Sequence, residues 1–418
     1  MKKKSIVALL LVLILTLGLI GCGKSGTSSS EGKSNKTVLR FATWDSGELL
    51  KIQQEISKKF EQQHEDIKVQ VEAYGDGFDQ KLVAAFGAKN PPDVMYMWDF
   101  PTYYQSLLPL DDYTKTDKDV NIEDFYPTLF NYMKIKDDLY GLPAGFTTHV
   151  IYYNKKLFDE ANVEYPQEGW TWSDFIEKAK KLTDPTKKQY GFAINASPDP
   201  YDFEQFLWSN GTSYISPDGK KIDGYMNSDE AVEAVQMFVD MVKDGYAVLV
   251  GGKSQQSGDD VFKAGKIAMW ETGIWPKTEF EEAKIDFGIA PLPAFPNKVA
   301  KSVINVSAVS IAKDSKNKDA AWEFLKYYTS PEAIQMRKGD LPVRKSVVES
   351  TNYDKDPKIK PFYIMLEQSD NTPAFLLTPK WNEIQKNLSI ALETIFSDLG
   401  NVKENLDKAV HDSQKYLE

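Results

Sequence analysis

The chain has 418 residues, a formal net charge of -11, 42% hydrophobic and 27% charged residues. That length exceeds what one hydrophobic core usually serves, and the balance is that of a folded globular protein, so two lobes are expected. An acidic surface repels a phosphate backbone, which argues against nucleic acid as a partner, and a single cysteine excludes any disulfide within the chain.

Lys2, Lys3 and Lys4 open the sequence, and an apolar run from Ile6 to Ile20 follows, broken only by Thr16 and Gly18. The run is shorter than the ~20 residues a comfortable bilayer span needs, so residues 1–21 read as a secretory signal peptide. Leu19-Ile20-Gly21-Cys22 resembles a bacterial lipobox, which implies cleavage before Cys22 and a lipid on its thiol. Several acyl chains anchor stably where one is marginal. Residues 22–36 are mostly Gly, Ser, Lys and Thr and should form a flexible tether. The expected location is extracytoplasmic, on the outer face of the cell membrane.

In the body, Val38 to Trp44 reads as a strand. Leu49, Ile52, Ile56 and Phe60 have helical spacing, and Ile67, Val69, Val71 and Ala73 alternate as a second strand. Phe78 to Ala88 is helical, Pro91-Pro92 breaks the chain, and Asp93 to Met97 is mostly apolar, as a buried parallel strand would be. Strand–helix–strand repetition predicts a doubly wound α/β sheet with ligand beyond the carboxyl ends of its strands. Those ends are Trp44-Asp45, Tyr74-Gly75-Asp76 and Trp98-Asp99, each an aromatic beside a carboxylate.

A crossing to a second lobe is expected around Gly145 to His149, before a strand at Val150 to Asn154. Thr171 and Asp174 have capping-box spacing, so Trp170 and Trp172 are expected to pack on that helix. Gly191 to Ile194 is a short strand, and helices follow from Pro200 and over Asp229 to Lys243. Lys266 to Met269 and Ile285 to Pro291 read as strands, with a second crossing near Leu292-Pro293. Val303 to Ile311 is rich in β-branched residues and should return to the first sheet. Leu341-Pro342-Val343-Arg344 suggests a third crossing. Asp319 to Tyr328, Phe362 to Gln368, Trp381 to Leu399 and Val402 to Leu417 are helical.

Several motifs fall short of their chemistry. Gly252-Lys253-Ser254 matches the end of a phosphate-binding loop, but Ala247 stands where its first glycine belongs. Asp117, Asp119, Asn121 and Glu123 start like a calcium loop, yet Ile122 and Thr128 occupy its glycine and glutamate positions. His64, His149 and His411 have no zinc spacing, so no metal or other cofactor is expected. There is no Gly-x-Ser-x-Gly nucleophile turn. Two carboxylates suffice for a glycosidase, so an anchored glycosidase stays open.

In order and spacing, several short segments together resemble the sugar-binding lipoproteins of ABC importers, similar to the maltose and multiple-sugar binding proteins. They are Asn90-Pro91-Pro92-Asp93-Val94, Tyr140-Gly141-Leu142-Pro143, Tyr152-Tyr153-Asn154-Lys155, Trp170-Thr171-Trp172-Ser173-Asp174-Phe175, Phe262 to Met269, Ala290-Pro291-Leu292-Pro293 and Leu341-Pro342-Val343-Arg344. The likeness implies two α/β lobes joined by three crossings: residues 37–145 with 292–340, and 146–291 with 341–418. It implies a binding protein, not an enzyme, that works as a monomer and hands a sugar or oligosaccharide to a permease with a separate ATPase.

Stacking tryptophans then fall on Trp275 and Trp381, first-lobe polar contacts near Asp45, Asp79, Asp99 and Thr147, and a central aromatic on Tyr201. Trp44, Trp98, Asn305 and Arg344 complete the expected site. Where many members carry a glycine pair, this chain has Ile304-Asn305-Val306. Another solute, such as a polyol phosphate or a peptide, is the alternative within binding proteins. An adhesive surface lipoprotein is a third reading.

Overall fold

The computed structural model describes residues 36–252, 256–337 and 339–417. The signal segment, Cys22 and nearly all of the tether lie outside them, as do Lys253 and Ser254 of the phosphate-loop fragment. Strands β1 (Thr37–Thr43), β2 (Ile67–Ala73), β3 (Val94–Met97) and β4 (Leu142–Thr148) come first. Then follow β5 (Val150–Asn154), β6 (Phe192–Asn195), β7 (Ala247–Val250), β8 (Met269–Thr272), β9 (Phe287–Ala290) and β10 (Ile304–Ile311).

The first lobe is built on a five-stranded sheet of order β2-β1-β3-β10-β4. β1 pairs in parallel with β2 and β3, as strand–helix–strand repetition requires. The helix Gly47–Gln63 turns Ile56 and Phe60 onto this sheet, where both are fully buried. β10 runs against both β3 and β4. It arrives from the other sheet through residues 291–303, with no crossover helix to bring it round, so the sheet is mixed and not wholly parallel.

The second lobe carries an antiparallel sheet of order β8-β5-β9 and a parallel pair, β6 with β7. The chain leaves the first sheet after Thr148 and joins the second at Val150, so His149 alone spans the step. β8 begins where the sequence suggests a strand should end: Ile267 bridges Tyr190 instead, and ladder pairing starts at Met269. Thr171 and Asp174 close the expected capping box, and Trp170 and Trp172 are buried behind it. Among the described residues no helix is long and apolar enough to cross a membrane.

Candidate functional site: a cleft lined by indoles and aspartates

A cavity of 780 Å³ opens just beyond the carboxyl ends of β1 and β3. Eight expected site residues line it together: Trp44, Asp79, Trp98, Asp99, Tyr201, Trp275, Asn305 and Trp381. Trp98 and Trp275 are 46% and 52% exposed. An indole left that open is a poor use of apolar surface unless something covers it.

Each wall has a local cause. Trp44 follows β1 and is wedged edge-on against Phe78 and, tilted, against Tyr96 at 4.4 Å between ring centroids. Behind it Asp45, Gln53, Tyr96 and Tyr328 form a buried hydrogen-bonded chain, in which Gln53 Nε2 donates to Asp45 and to the Tyr96 hydroxyl. Trp98 follows β3, and its indole N–H donates to Asp79 at 3.3 Å. Asp99 caps the next short helix by accepting from the Thr102 backbone. Tyr201 opens the helix Pro200–Ser209 and donates to the Ile304 carbonyl at 2.8 Å, which ties that helix to β10.

Trp275 sits on a tight return after β8. A Cβ on Gly273 would come within 2.7 Å of the Trp275 ring, so only glycine lets the indole fold back there. Thr147 is buried below the cleft floor and does not line it. Its hydroxyl accepts from the Ile274 backbone at 2.9 Å and so fixes the return that carries Trp275. Trp381, at the start of the helix Trp381–Asp398, is 4% exposed and stacks on Tyr214, with only an edge on the cleft.

Besides Thr147, two expected contacts lie elsewhere. Asp45 opens into an adjoining chamber of 380 Å³, not into the main cavity. Arg344 is a correction: it lines neither space. Its guanidinium is buried over the Phe125 ring, bonded to Asp124 and to the carbonyls of Val120, Asn121 and Thr329. Four acceptors and an aromatic face hold it in packing.

The cleft also contains residues that the sequence did not single out: Asp199, Asp202, Asp340, Phe375 and Thr378 among them. Asp199-Pro200 is a helix-start signature and could have flagged Asp199, whose carboxylate caps the Tyr201 backbone. Asp340 had no such signal, because its approach depends on Gly145, where an added Cβ would come 2.4 Å from the carboxylate. Among the described residues, five aspartates line the main cavity and no lysine or arginine does.

Charge is balanced from behind. His149 is buried between Glu271, 2.5 Å from Nδ1, and Asp202, 3.7 Å from Nε2, with Trp275 edge-on at 5.6 Å. Burial opposes the imidazolium, but the two carboxylates outweigh it and push the pKa to about 9. Burial, with Glu271 and Asp199 nearby, holds Asp202 above the usual carboxylate range despite His149. No group of three or more His, Cys, Asp or Glu side chains among the described residues could hold a metal.

Residues 44–335 match the family described as bacterial extracellular solute-binding proteins. The chain belongs to that family. Among its curated relatives, the galactooligosaccharide-binding protein of Bacillus subtilis strain 168 is 27% identical over 98% of this chain and 96% of its own. The maltotriose-binding protein of Pyrococcus abyssi is 26% identical over 84% of this chain and 75% of its own. An ABC substrate-binding protein of Listeria monocytogenes, solved in complex with cycloalternan, superposes with a TM-score of 0.78 at 26% identity, covering 91% of this chain and 99% of that one.

Proposed function

We propose that this solute-binding protein captures a sugar or oligosaccharide between its lobes and delivers it to the membrane subunits of an ABC permease driven by a separate ATPase. The mature protein is held on the outer face of the membrane by lipid on Cys22 and acts as a monomer. The observation that carries the ligand class is the lining: exposed indoles interleaved with aspartates and three amides, Asn305, Asn382 and Gln385. A pyranose has C–H faces that pack on flat rings and a rim of hydroxyls that donate to carboxylates. The oligosaccharide names of two relatives support the same reading.

Capture follows from these parts. Trp98 belongs to the first lobe and Trp275 to the second, so a ring that touches both is held only when the lobes approach. The ligand favours that arrangement through contacts absent from the open one. Hydrogen bonds to Asp79, Asp99 and Asn305 then form in a drier space, where they are stronger. For the polyol-phosphate alternative, the cation expected to meet the phosphate, Arg344, is buried in packing.

Equilibrium dialysis of the mature chain against labelled malto-, galacto- and arabino-oligosaccharides tests the proposal. Saturable retention of intact sugar is expected. Release of shorter products would assign an anchored glycosidase instead, and no retention of any sugar would reject the reading.

A further inference from the structure

The residue that joins the two sheets carries a titratable ring. His149 lies between β4 and β5, and its backbone N–H donates to the Ser302 hydroxyl on the returning connection at 2.8 Å, so two crossings meet there. We propose that His149 is a positioning residue that couples sugar affinity to pH: its imidazolium holds Asp202 ionised at the cleft wall, and loss of that charge weakens capture. This rests on the sugar reading above and adds to it the regulation of the same cleft.

The cluster around the ring is assembled from separate elements. Glu271 of β8 meets Nδ1 at 2.5 Å, and Gln205 donates to the same carboxylate at 2.8 Å. Asp202, on the helix Pro200–Ser209 with Gln205, stands 3.7 Å from Nε2. Asn305 of β10 faces both the imidazole and Asp202, and the Trp275 ring lies edge-on to the imidazole. Asp199 adds a further negative charge near Asp202. Asp202, Asn305 and Trp275 line the cavity, whereas His149 is buried behind them. One ring thus backs three cleft residues that come from three segments of the chain.

The coupling follows from desolvation. A sugar laid on Asp202 removes its water, and a carboxylate out of water needs a neighbouring cation more than a hydrated one does. With the ring neutral, Asp202 would face Glu271 with no charge between them to offset the repulsion. It would then take up a proton or turn away, and in either case accept less well from a sugar hydroxyl. At 3.7 Å, Nε2 is beyond hydrogen-bond reach of Asp202, and a movement of about 1 Å brings the two into a charge-assisted bond. Rotation about His149 supplies such a movement, so the closed form favours the imidazolium more than the open form does.

A neutral sugar has no group that titrates near neutral pH, so a proton taken up on binding belongs to the protein. Calorimetric titration of the mature chain with the tightest-binding neutral oligosaccharide, in buffers of different ionisation enthalpy from about pH 7 to about pH 10, tests the coupling. Circular dichroism at each pH keeps the titrations to folded protein. Affinity should fall about threefold or more across that range, with a fraction of a proton taken up per sugar near about pH 9 and none near about pH 7. Glu271→Gln keeps an acceptor for the Nδ1–H and removes one charge, so it should fold and move the step toward acid by about one pH unit. His149→Asn should abolish the step. Constant affinity without proton uptake in the wild type would overturn the coupling and leave sugar capture intact. A step that persists in His149→Asn, stays in place in Glu271→Gln or vanishes in Glu204→Gln would assign the proton to another group and overturn it equally. No saturable binding of any sugar would overturn both readings.

Discussion

At the scale of single residues, exposure and satisfaction of hydrogen bonds separate ligand contacts from packing. Trp275 is half exposed over a cavity, so Trp275→Ala should weaken sugar binding by about 1–3 kcal/mol through lost apolar burial, read by calorimetry, with little change in melting temperature. Arg344 should behave oppositely. Removing it leaves Asp124 buried without its cation, a change that costs about 3–5 kcal/mol when a buried pair is broken. Arg344→Ala should therefore lower the denaturation midpoint strongly and leave the affinity of the folded fraction unchanged. A loss of affinity without loss of stability would return Arg344 to the site.

Two buried groups make stability depend on pH. Glu204, fully buried beneath the cleft and accepting from the Ala374 backbone, has its pKa pushed up to about 8 by burial. Between the unfolded carboxyl's pKa near 4.5 and this value, the folded chain holds a proton that the unfolded chain has released, so stability falls as pH rises. His149 acts in the same direction: its contribution is complete below the unfolded value of 6.5 and is lost as pH passes about 9. Thermal melts should show stability declining from mildly acidic to alkaline pH. Glu204→Gln should flatten the lower part of that decline and leave the upper part. An unchanged slope in Glu204→Gln would show that Glu204 does not titrate with folding.

At the scale of elements, the regular strands and helices were legible because their periods are local. The alternation over Ile67, Val69, Val71 and Ala73 and the helical spacing of Ile56 and Phe60 depend on nothing distant. β7 was missed because four residues, Ala247 to Val250, carry no period. The start of β8 was misread because Ile267 and Ala268 are as apolar as a strand residue but pair with the loop residue Tyr190. The site was legible where it lies at strand ends, as with Trp44, Trp98 and Asp99. It was illegible where a side chain reaches in from a distant segment, as Asp340 does over Gly145. The return after β8 shows how an element positions a contact it does not contain. Gly273→Ala should displace the Trp275 ring and weaken sugar binding by an amount approaching that of Trp275→Ala, while circular dichroism stays native. Wild-type affinity in that variant would show that the ring has room to move.

At the scale of the whole molecule, sugar capture needs two lobes that share one ligand. The sheets are joined at His149 and through residues 291–303, and at the expected third crossing the Leu341 backbone donates to Phe146 of β4. Short connections of this kind allow rotation of one lobe against the other with little change inside either. X-ray scattering from the mature chain should show a smaller radius of gyration when a bound sugar is added. An unchanged radius with sugar bound would mean that capture needs no closure. The proposed lipid on Cys22 belongs to the same scale, and Cys22→Ser should release the protein from the membrane fraction without altering sugar affinity. Retention of the variant in that fraction would point to a different anchor.

The most direct measurement is a calorimetric titration of the mature wild-type chain, Trp98→Ala and Trp275→Ala with the tightest-binding oligosaccharide. One site per chain in the wild type, with a clear loss of affinity in each variant, is the predicted result. Wild-type affinity in both variants would contradict a sugar held between indoles of opposite lobes.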